Sequence, residues 1–134
     1  MEILINIDVP HLERAIRFYQ EGIGLQLQRR LFDNTVAEMH GAAASLYLIQ
    51  QAEGTAANPR SLALRSYERH WTPVHLDFVV DDMARATGQA IRAGATLESA
   101  VQAFAWGQLA TLSDPFGHGF CFIRWFDQGY AREI

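Results

Sequence analysis

The sequence predicts an α+β fold made of two βαβββ modules, each with one helix and four strands. Two observations indicate this. Strand-like alternation, helical spacing and renewed alternation follow one another from the N-terminus, and the same succession starts again after residue 72. The two repeats of this pattern are separated by a stretch without periodicity, residues 52–72. We therefore expect one domain over residues 1–134, formed by modules 1–51 and 73–127 and joined by the loop 52–72.

The first module begins with apolar and polar residues in alternation, a pattern typical of a strand, and Pro10 ends it. Apolar residues then recur at helical spacing until Gly22 and Gly24, which favour the end of a helix. Turn residues separate three further strand-like runs. The predicted ranges are 3–9 for the first strand, 12–22 for the helix, and 25–32, 35–39 and 44–50 for the later strands.

The second module repeats this order. "LDFVVDDMARATGQAIRAGATLE" can be laid over "INIDVPHLERAIRFYQEGIGLQL" as strand, turn, helix, glycine and strand, and the match lies in pattern more than in identity. The repeated pattern fits either an internal duplication or two units that are alike in pattern alone. The predicted ranges are 74–80 for the first strand, 83–91 for the helix, and 96–103, 108–112 and 120–126 for the later strands.

Composition excludes several classes of protein. The 49% apolar content can close a core, and a net charge of −4 without a cluster of Lys or Arg argues against a nucleic-acid partner. A single cysteine, Cys121, excludes an internal disulfide and any C-x-x-C motif. No signal segment or long apolar run is present, so we expect a cytoplasmic protein without membrane contact.

Two stretches resemble a known family. "HLDFVVDDMARATGQAIRAGATLE", followed by "LSDPFGHGFCFI", resembles the second half of vicinal oxygen chelate proteins, which include glyoxalase I, extradiol dioxygenases and bleomycin resistance proteins. "VPHLERAIRFYQEGIGLQL" is similar to the first-half helix signature, with His11 where Asp is usual and Ile23 where Leu is usual. The resemblance implies two modules that form half-barrel cups, and it leaves the activity open because members share the scaffold and differ in chemistry.

The resemblance also implies positions for a divalent metal, on the first and last strand of each module. They fall on Leu4, Ser45, His75 and Cys121. Leu4 offers no donor atom and Ser45 a poor one, and moving the alignment from Ser45 to Tyr47 does not complete the site. We therefore expect no metal and no cofactor.

Alternation along the strands places a second set of polar residues in the cups. Asn6 and Asp8 of the first module and Asp77 of the second face away from the helices, with Cys121 on the last strand. His75 beside Asp77 is the candidate catalytic pair, because a carboxylate can orient an imidazole as a general base. A purely structural pair is the alternative, and a buried free cysteine such as Cys121 usually behaves as a small apolar residue.

Aromatic side chains complete the expected site, with Tyr47, Trp71 and Trp106 as walls of a pocket. The first hypothesis is a metal-free binder of a small aromatic or amphipathic organic molecule, similar to bleomycin resistance proteins. The alternative is a lyase, isomerase or dioxygenase of the superfamily that uses His75, with or without a divalent metal. We also expect a homodimer, because each module leaves sheet edges to cover, within one chain or by exchange between two.

Overall fold

The structure, a computed structural model, describes residues 1–134 and divides into two compact units, Met1–Glu68 and Arg69–Ile134. Each unit contains one α-helix and one mixed sheet, so the predicted α+β fold is confirmed. The predicted loop 52–72 is divided between the units, and its first part is tied to unit 1 by the Tyr67 hydroxyl, which donates to the Gln51 carbonyl at 2.7 Å. The single-domain interpretation stays a prediction.

Unit 1 contains the predicted strand, helix and three strands. Their bounds are β1 Ile5–Val9, α1 Leu12–Phe18, β2 Gln26–Leu31, β3 Val36–His40 and β4 Leu46–Gln50. The sheet order is β1-β4-β3-β2, with β1 and β4 parallel and the other pairs antiparallel. Helix α1 packs on one face of this sheet, where Leu46 and Leu48 are fully buried.

The ends of α1 follow from local chemistry. His11 makes no side-chain cap, and the Gln50 side chain instead accepts from the Leu12 amide at 3.0 Å. After Phe18 the helix widens into a π-helical turn, Tyr19–Ile23, and Gly24 ends it in the left-handed region at φ 88°. The glycine signal in the sequence is therefore confirmed.

Unit 2 repeats the arrangement with one addition. The bounds are β5 Leu76–Val79, α2 Met83–Arg92, β6 Thr96–Leu97, β7 Gln102–Phe104, β8 Gly107–Ser113, β9 Gly119–Trp125 and a terminal 3₁₀ helix Gly129–Glu133. The sheet order is β5-β9-β8-β6, β7 also pairs with β8, and β5 lies parallel to β9. No helix in the structure combines the length and apolar character that crossing a bilayer requires.

The single strand predicted over 96–103 is wrong, because the structure has two short strands there. Leu97 pairs with Leu112, and Gln102 pairs with Leu109. Five residue steps separate Leu97 from Gln102, whereas only three separate their partners on β8. Two residues between β6 and β7 are therefore left without a partner in the ladder. The interruption brings Glu98 out of the strand.

The "DPFGHGF" turn joins β8 to β9 through Asp114, whose buried carboxylate accepts from the amides of Phe116 at 2.8 Å and His118 at 2.9 Å. Gly117 adopts φ 88°, a conformation that disfavours a side chain. The turn thus reverses the chain tightly enough for Ser113 to pair with Gly119.

Candidate functional site

The face of the unit 2 sheet opposite α2 carries a cavity of about 340 Å³. On β9, Phe120 and Phe122 contact Phe78 on the helix side, so Cys121 and Ile123 project the other way. The strand register sets Asp77 beside Cys121, and Cys121 beside Thr111. Three neighbouring strands therefore contribute one side chain each to the same floor.

His75 and Asp77 form the polar pair of this cavity. The His75 Nε2 atom lies 3.3 Å from the Asp77 Oδ1 atom, and each side chain is about one-third exposed. The His75 ring also lies against the Trp71 indole, with ring centroids 4.6 Å apart. An imidazole held by a carboxylate on one nitrogen keeps its other nitrogen for a ligand.

Cys121 lies in the floor of the cavity and is 4% exposed. Burial raises the pKa of its thiol, the Asp77 charge adds to the rise, and a contact with the Thr111 hydroxyl at 3.7 Å opposes it. The side chain therefore remains a neutral thiol at pH 7. This behaviour corresponds to the apolar interpretation of Cys121.

Three aromatic residues surround the cavity: Trp71, Trp106 and Tyr130. Trp106 stacks on Phe104 with centroids 5.1 Å apart and planes 5° from parallel, and it meets Tyr130 edge to face at 5.0 Å. Trp71 and Trp106 were predicted as pocket walls. Tyr130 was missed, because it follows the last strand and reaches the cavity only through the terminal 3₁₀ helix.

The same floor offers donors for a metal ion. The donor atoms of His75, Asp77 and Cys121 all lie within 4.8 Å of one another. Imidazole, carboxylate and thiolate are zinc ligands, and three of them with an open position suit a catalytic zinc, so the residues fit such an ion chemically. Sequence reasoning missed the set because it assigned Asp77 only as the partner of His75. The expectation of no bound metal stays a prediction.

Unit 1 does not provide a second set of this kind. Its β1–β4 register pairs Asn6 with Tyr47, as Asp77 pairs with Cys121 in unit 2. Tyr47, not Ser45, is therefore the counterpart of Cys121, which corrects the alignment made from the sequence. Neither Asn6 nor Tyr47 is an imidazole, carboxylate or thiolate donor.

Asp8 and Tyr47 lie among charged partners in unit 1. Asp8 Oδ2 accepts from the Arg65 Nε atom at 2.7 Å. Tyr47 is paired across the strands with Glu38, whose carboxylate binds both Arg29 and His40. This ion cluster was missed from the sequence. A ligand-binding role for Asn6, Asp8 and Tyr47 stays a prediction.

A larger cavity of about 510 Å³ opens beside the start of α2, and two of its polar side chains, Asp82 and Arg124, already bind the backbone. The Asp82 carboxylate caps α2 by accepting from the Arg85 amide at 3.0 Å, and the Arg124 Nε atom donates to the Asp81 carbonyl at 3.0 Å. No aromatic residue lines it. The smaller cavity is therefore the candidate site.

Comparison with known proteins gives one family and many similar structures. Residues 4–123 match the model of a glyoxalase-like domain. No curated protein sequence matches the chain. A glyoxalase-related enzyme from Fulvimarina pelagi is similar in structure, with a TM-score of 0.72 and 18% identity over 92% of this chain and 87% of that one.

Two further structures differ from each other in function. An antibiotic binding protein from Streptomyces sp. CB03234 has a TM-score of 0.65 and 20% identity, over 94% of this chain and 96% of that one. A lactoylglutathione lyase from Agrobacterium tumefaciens has a TM-score of 0.63 and 15% identity, over 92% of both chains. At such identities the likeness shows the fold alone.

Proposed function

The chain belongs to the glyoxalase-like domain family, within the vicinal oxygen chelate superfamily, and from this premise we propose that it binds a small organic molecule in the cavity of unit 2. The ligand is aromatic or amphipathic and flat enough to lie against an indole. It needs at least one polar group that can hydrogen-bond with His75 or Asp77. The binding does not require a metal ion.

The observation that carries this proposal is the mixed lining of the cavity. Trp71, Trp106 and Tyr130 give apolar faces, while the His75–Asp77 pair supplies polar atoms on one side. A pocket that is mostly apolar with a few convergent polar groups is the usual form of a small-molecule site. That one structural neighbour is an antibiotic binding protein is consistent with this type of ligand.

A compound screen tests the proposal, with intrinsic tryptophan fluorescence and thermal shift as readouts. Flat aromatic compounds that bind the wild type should bind Trp106→Ala and His75→Ala more weakly. Arg60→Ala, a substitution in the surface loop of unit 1, is the matched control and should bind as the wild type does. Hits whose affinity is unaffected by both cavity substitutions would contradict the location of the site.

A second candidate function is an enzyme of the superfamily, a lyase, isomerase or dioxygenase. The three donor atoms within 4.8 Å of one another favour it, since His75, Asp77 and Cys121 would then hold a divalent ion that polarises a substrate oxygen. Elemental analysis separates the candidates. A binder should contain well under one zinc, nickel or iron per chain after dialysis, whereas about one ion per chain, lost in His75→Ala, supports the enzyme.

We infer that the protein acts as a cytoplasmic homodimer. Each sheet has two edge strands, β1 and β2 in unit 1 and β5 and β6 in unit 2, and association is a common way to cover such edges. Light scattering should give twice the chain mass of 15.1 kDa. A monomer at micromolar concentration would contradict this part of the proposal.

A further inference from the structure

Trp71 lies in a segment without regular secondary structure, and the residue is 47% exposed. An exposed side chain on such a segment normally changes rotamer freely. Here the indole nevertheless has partners on several sides. Its ring lies 4.6 Å from the His75 ring, and the Arg69 guanidinium lies 5.3 Å from its centroid.

Gly119 leaves the space that the indole and the guanidinium occupy. A Cβ atom on this residue would lie 2.7 Å from two indole carbons of Trp71 and 2.6 Å from Arg69 Nη2. Such distances are shorter than real Cβ contacts, so the two side chains pack directly over the Gly119 backbone. The glycine has a negative or extended φ, so it is required here for space and not for a left-handed turn.

Arg69 is itself fixed by a fork of two bonds. Its Nε atom donates to Glu98 Oε2 and its Nη2 atom donates to Glu98 Oε1, both at 2.6 Å. This bidentate geometry fixes both the position of the guanidinium and the orientation of its plane. The Glu98 backbone is held in turn, because its amide donates to the Thr111 carbonyl of β8 at 2.9 Å.

We propose that Arg69 and Glu98 are positioning residues that hold the Trp71 indole over Gly119 and against His75, and so determine which flat ligands the cavity admits. The part of this proposal that concerns ligands rests on the proposed function. Both carboxylate oxygens of Glu98 and two donors of Arg69 are used within the fork. Neither residue lines the cavity, so their contribution to binding passes through Trp71 rather than through contact with the ligand.

NMR of the His75 ring protons tests the positioning without any ligand, because the nearby indole shifts their resonances. In Glu98→Gln, one oxygen of the fork is replaced by an amide, and the His75 shifts should move toward those of Trp71→Ala. Arg69→Lys should move them part of the way, since an ammonium cannot reproduce the fork. Gly119→Ala should move them strongly, and a thermal unfolding curve shows whether that variant is folded.

The control is Glu13→Gln, which breaks the Glu13–Arg30 ion pair of unit 1 and should leave the His75 resonances unchanged. The second readout is the affinity for N-phenyl-1-naphthylamine, a neutral fluorescent probe with a flat naphthalene ring. We expect Glu98→Gln to weaken this binding about three- to tenfold and Glu13→Gln to leave it unchanged.

His75 resonances in Glu98→Gln that coincide with those of the wild type would overturn the positioning role. Resonances that move, in a protein whose wild type does not bind the probe, would support the positioning role and count against the proposed function. A wild type that binds the probe with an affinity that Glu98→Gln does not alter would support the proposed function and count against the positioning role. The two ideas can therefore fail separately.

Discussion

The two units use one backbone plan for different interiors. Both have the same sheet order and a parallel pairing of the first and last strand. In unit 1 the central positions opposite the helix hold Glu38 and Tyr47, which are paired across β3 and β4. The matching positions in unit 2 hold Thr111 and Cys121. Large side chains fill the face in one unit, and small ones leave a cavity in the other.

The charges in the two units differ in the same way. Glu38 is 5% exposed and its carboxylate is shared by Arg29 and His40, so this group satisfies its hydrogen bonds within the fold. The His75–Asp77 pair is about one-third exposed and borders empty space. The backbone repeat alone therefore does not produce the cavity of unit 2, which depends on the small side chains of Thr111 and Cys121.

The largest expected effect concerns the longer ladder of unit 2. Strands β8 and β9 have seven residues each, against five in β3 and β4. One end of this longer ladder is the pair formed by Gly107 and Trp125. A Cβ atom there would lie 2.2 Å from the Arg124 carbonyl oxygen, so Gly107→Ala must part the strands. We expect a loss of about 3 kcal/mol in the free energy of unfolding, measured in urea.

Gly88→Ala is the matched control for this substitution. Gly88 lies inside α2, and the only atom near its added Cβ is the flexible end of Arg92 at 3.2 Å. Replacing glycine within a helix should stabilise the protein by about 0.5–1 kcal/mol. A similar loss in both variants would show that contact at Gly107 is not the cause.

Placing the unit 1 counterpart residue in the floor of the unit 2 cavity should weaken binding strongly. Cys121→Tyr places the side chain of Tyr47 at the matching position of unit 2, where it would occupy the cavity floor. We expect the affinity for N-phenyl-1-naphthylamine to fall by about a hundredfold, with overpacking that costs about 1–3 kcal/mol of stability. Cys121→Ala keeps the space and should bind normally. Unchanged binding in Cys121→Tyr would refute the role of side-chain volume.

Removal of the cavity walls and of the polar pair should have graded effects. Trp106→Ala loses one stacked surface and should weaken binding by about tenfold at most, because an aromatic contact contributes on the order of 1 kcal/mol. His75→Ala should weaken it more for ligands with a polar group, since Asp77 is left without its partner. Isothermal titration calorimetry measures both. Equal affinities in the wild type, Trp106→Ala and His75→Ala would be inconsistent with this lining of the cavity.

The smallest expected effect distinguishes the charges of unit 1. The Arg29 guanidinium, and then the His40 imidazole, hold the pKa of the Glu38 carboxyl below its ordinary value of 4.5. A carboxyl whose pKa is lowered in the folded state stabilises the fold at pH values above its ordinary pKa. This contribution disappears as the pH falls through the folded-state pKa. The Tm of Glu38→Gln should therefore fall less on acidification than the Tm of the wild type.

Glu2→Gln, at the exposed N-terminus, is the control for Glu38→Gln and should follow the wild type at every pH. Binding of N-phenyl-1-naphthylamine to Glu38→Gln should remain within twofold of the wild type, because the substitution lies outside unit 2. An acid profile that Glu38→Gln does not change would argue against the ion cluster as a stabilising element.

Much of the fold could be predicted because it depends on local periodicity. Alternation identified the strands, and parity along them placed Asp77 and Cys121 on one face, which the register confirms. Loop contacts carry no such signal. Arg69 and Glu98 are 29 residues apart, and each lies outside a strand. Tyr130 reaches the cavity through a terminal turn that has no periodic pattern.

The ion cluster of unit 1 was hidden by an irregular register. Continuous pairing from Leu27 and Met39 would set Arg29 beside Ala37, on the face that packs against the helix. A β-bulge between Leu27 and Arg29 instead sets Arg29 beside Glu38. One extra residue therefore moves a charge from one face of the sheet to the other, and sequence alternation alone cannot indicate where that happens.

The most direct test is a ¹⁵N NMR titration of the wild type with N-phenyl-1-naphthylamine or a tighter hit from the compound screen. The proposal that the ligand binds in the cavity of unit 2 predicts the largest changes at the indole N–H groups of Trp71 and Trp106 and at the Cys121 amide. Residues 1–68 should change less. Largest changes within residues 1–68, or none at the two indoles, would contradict it.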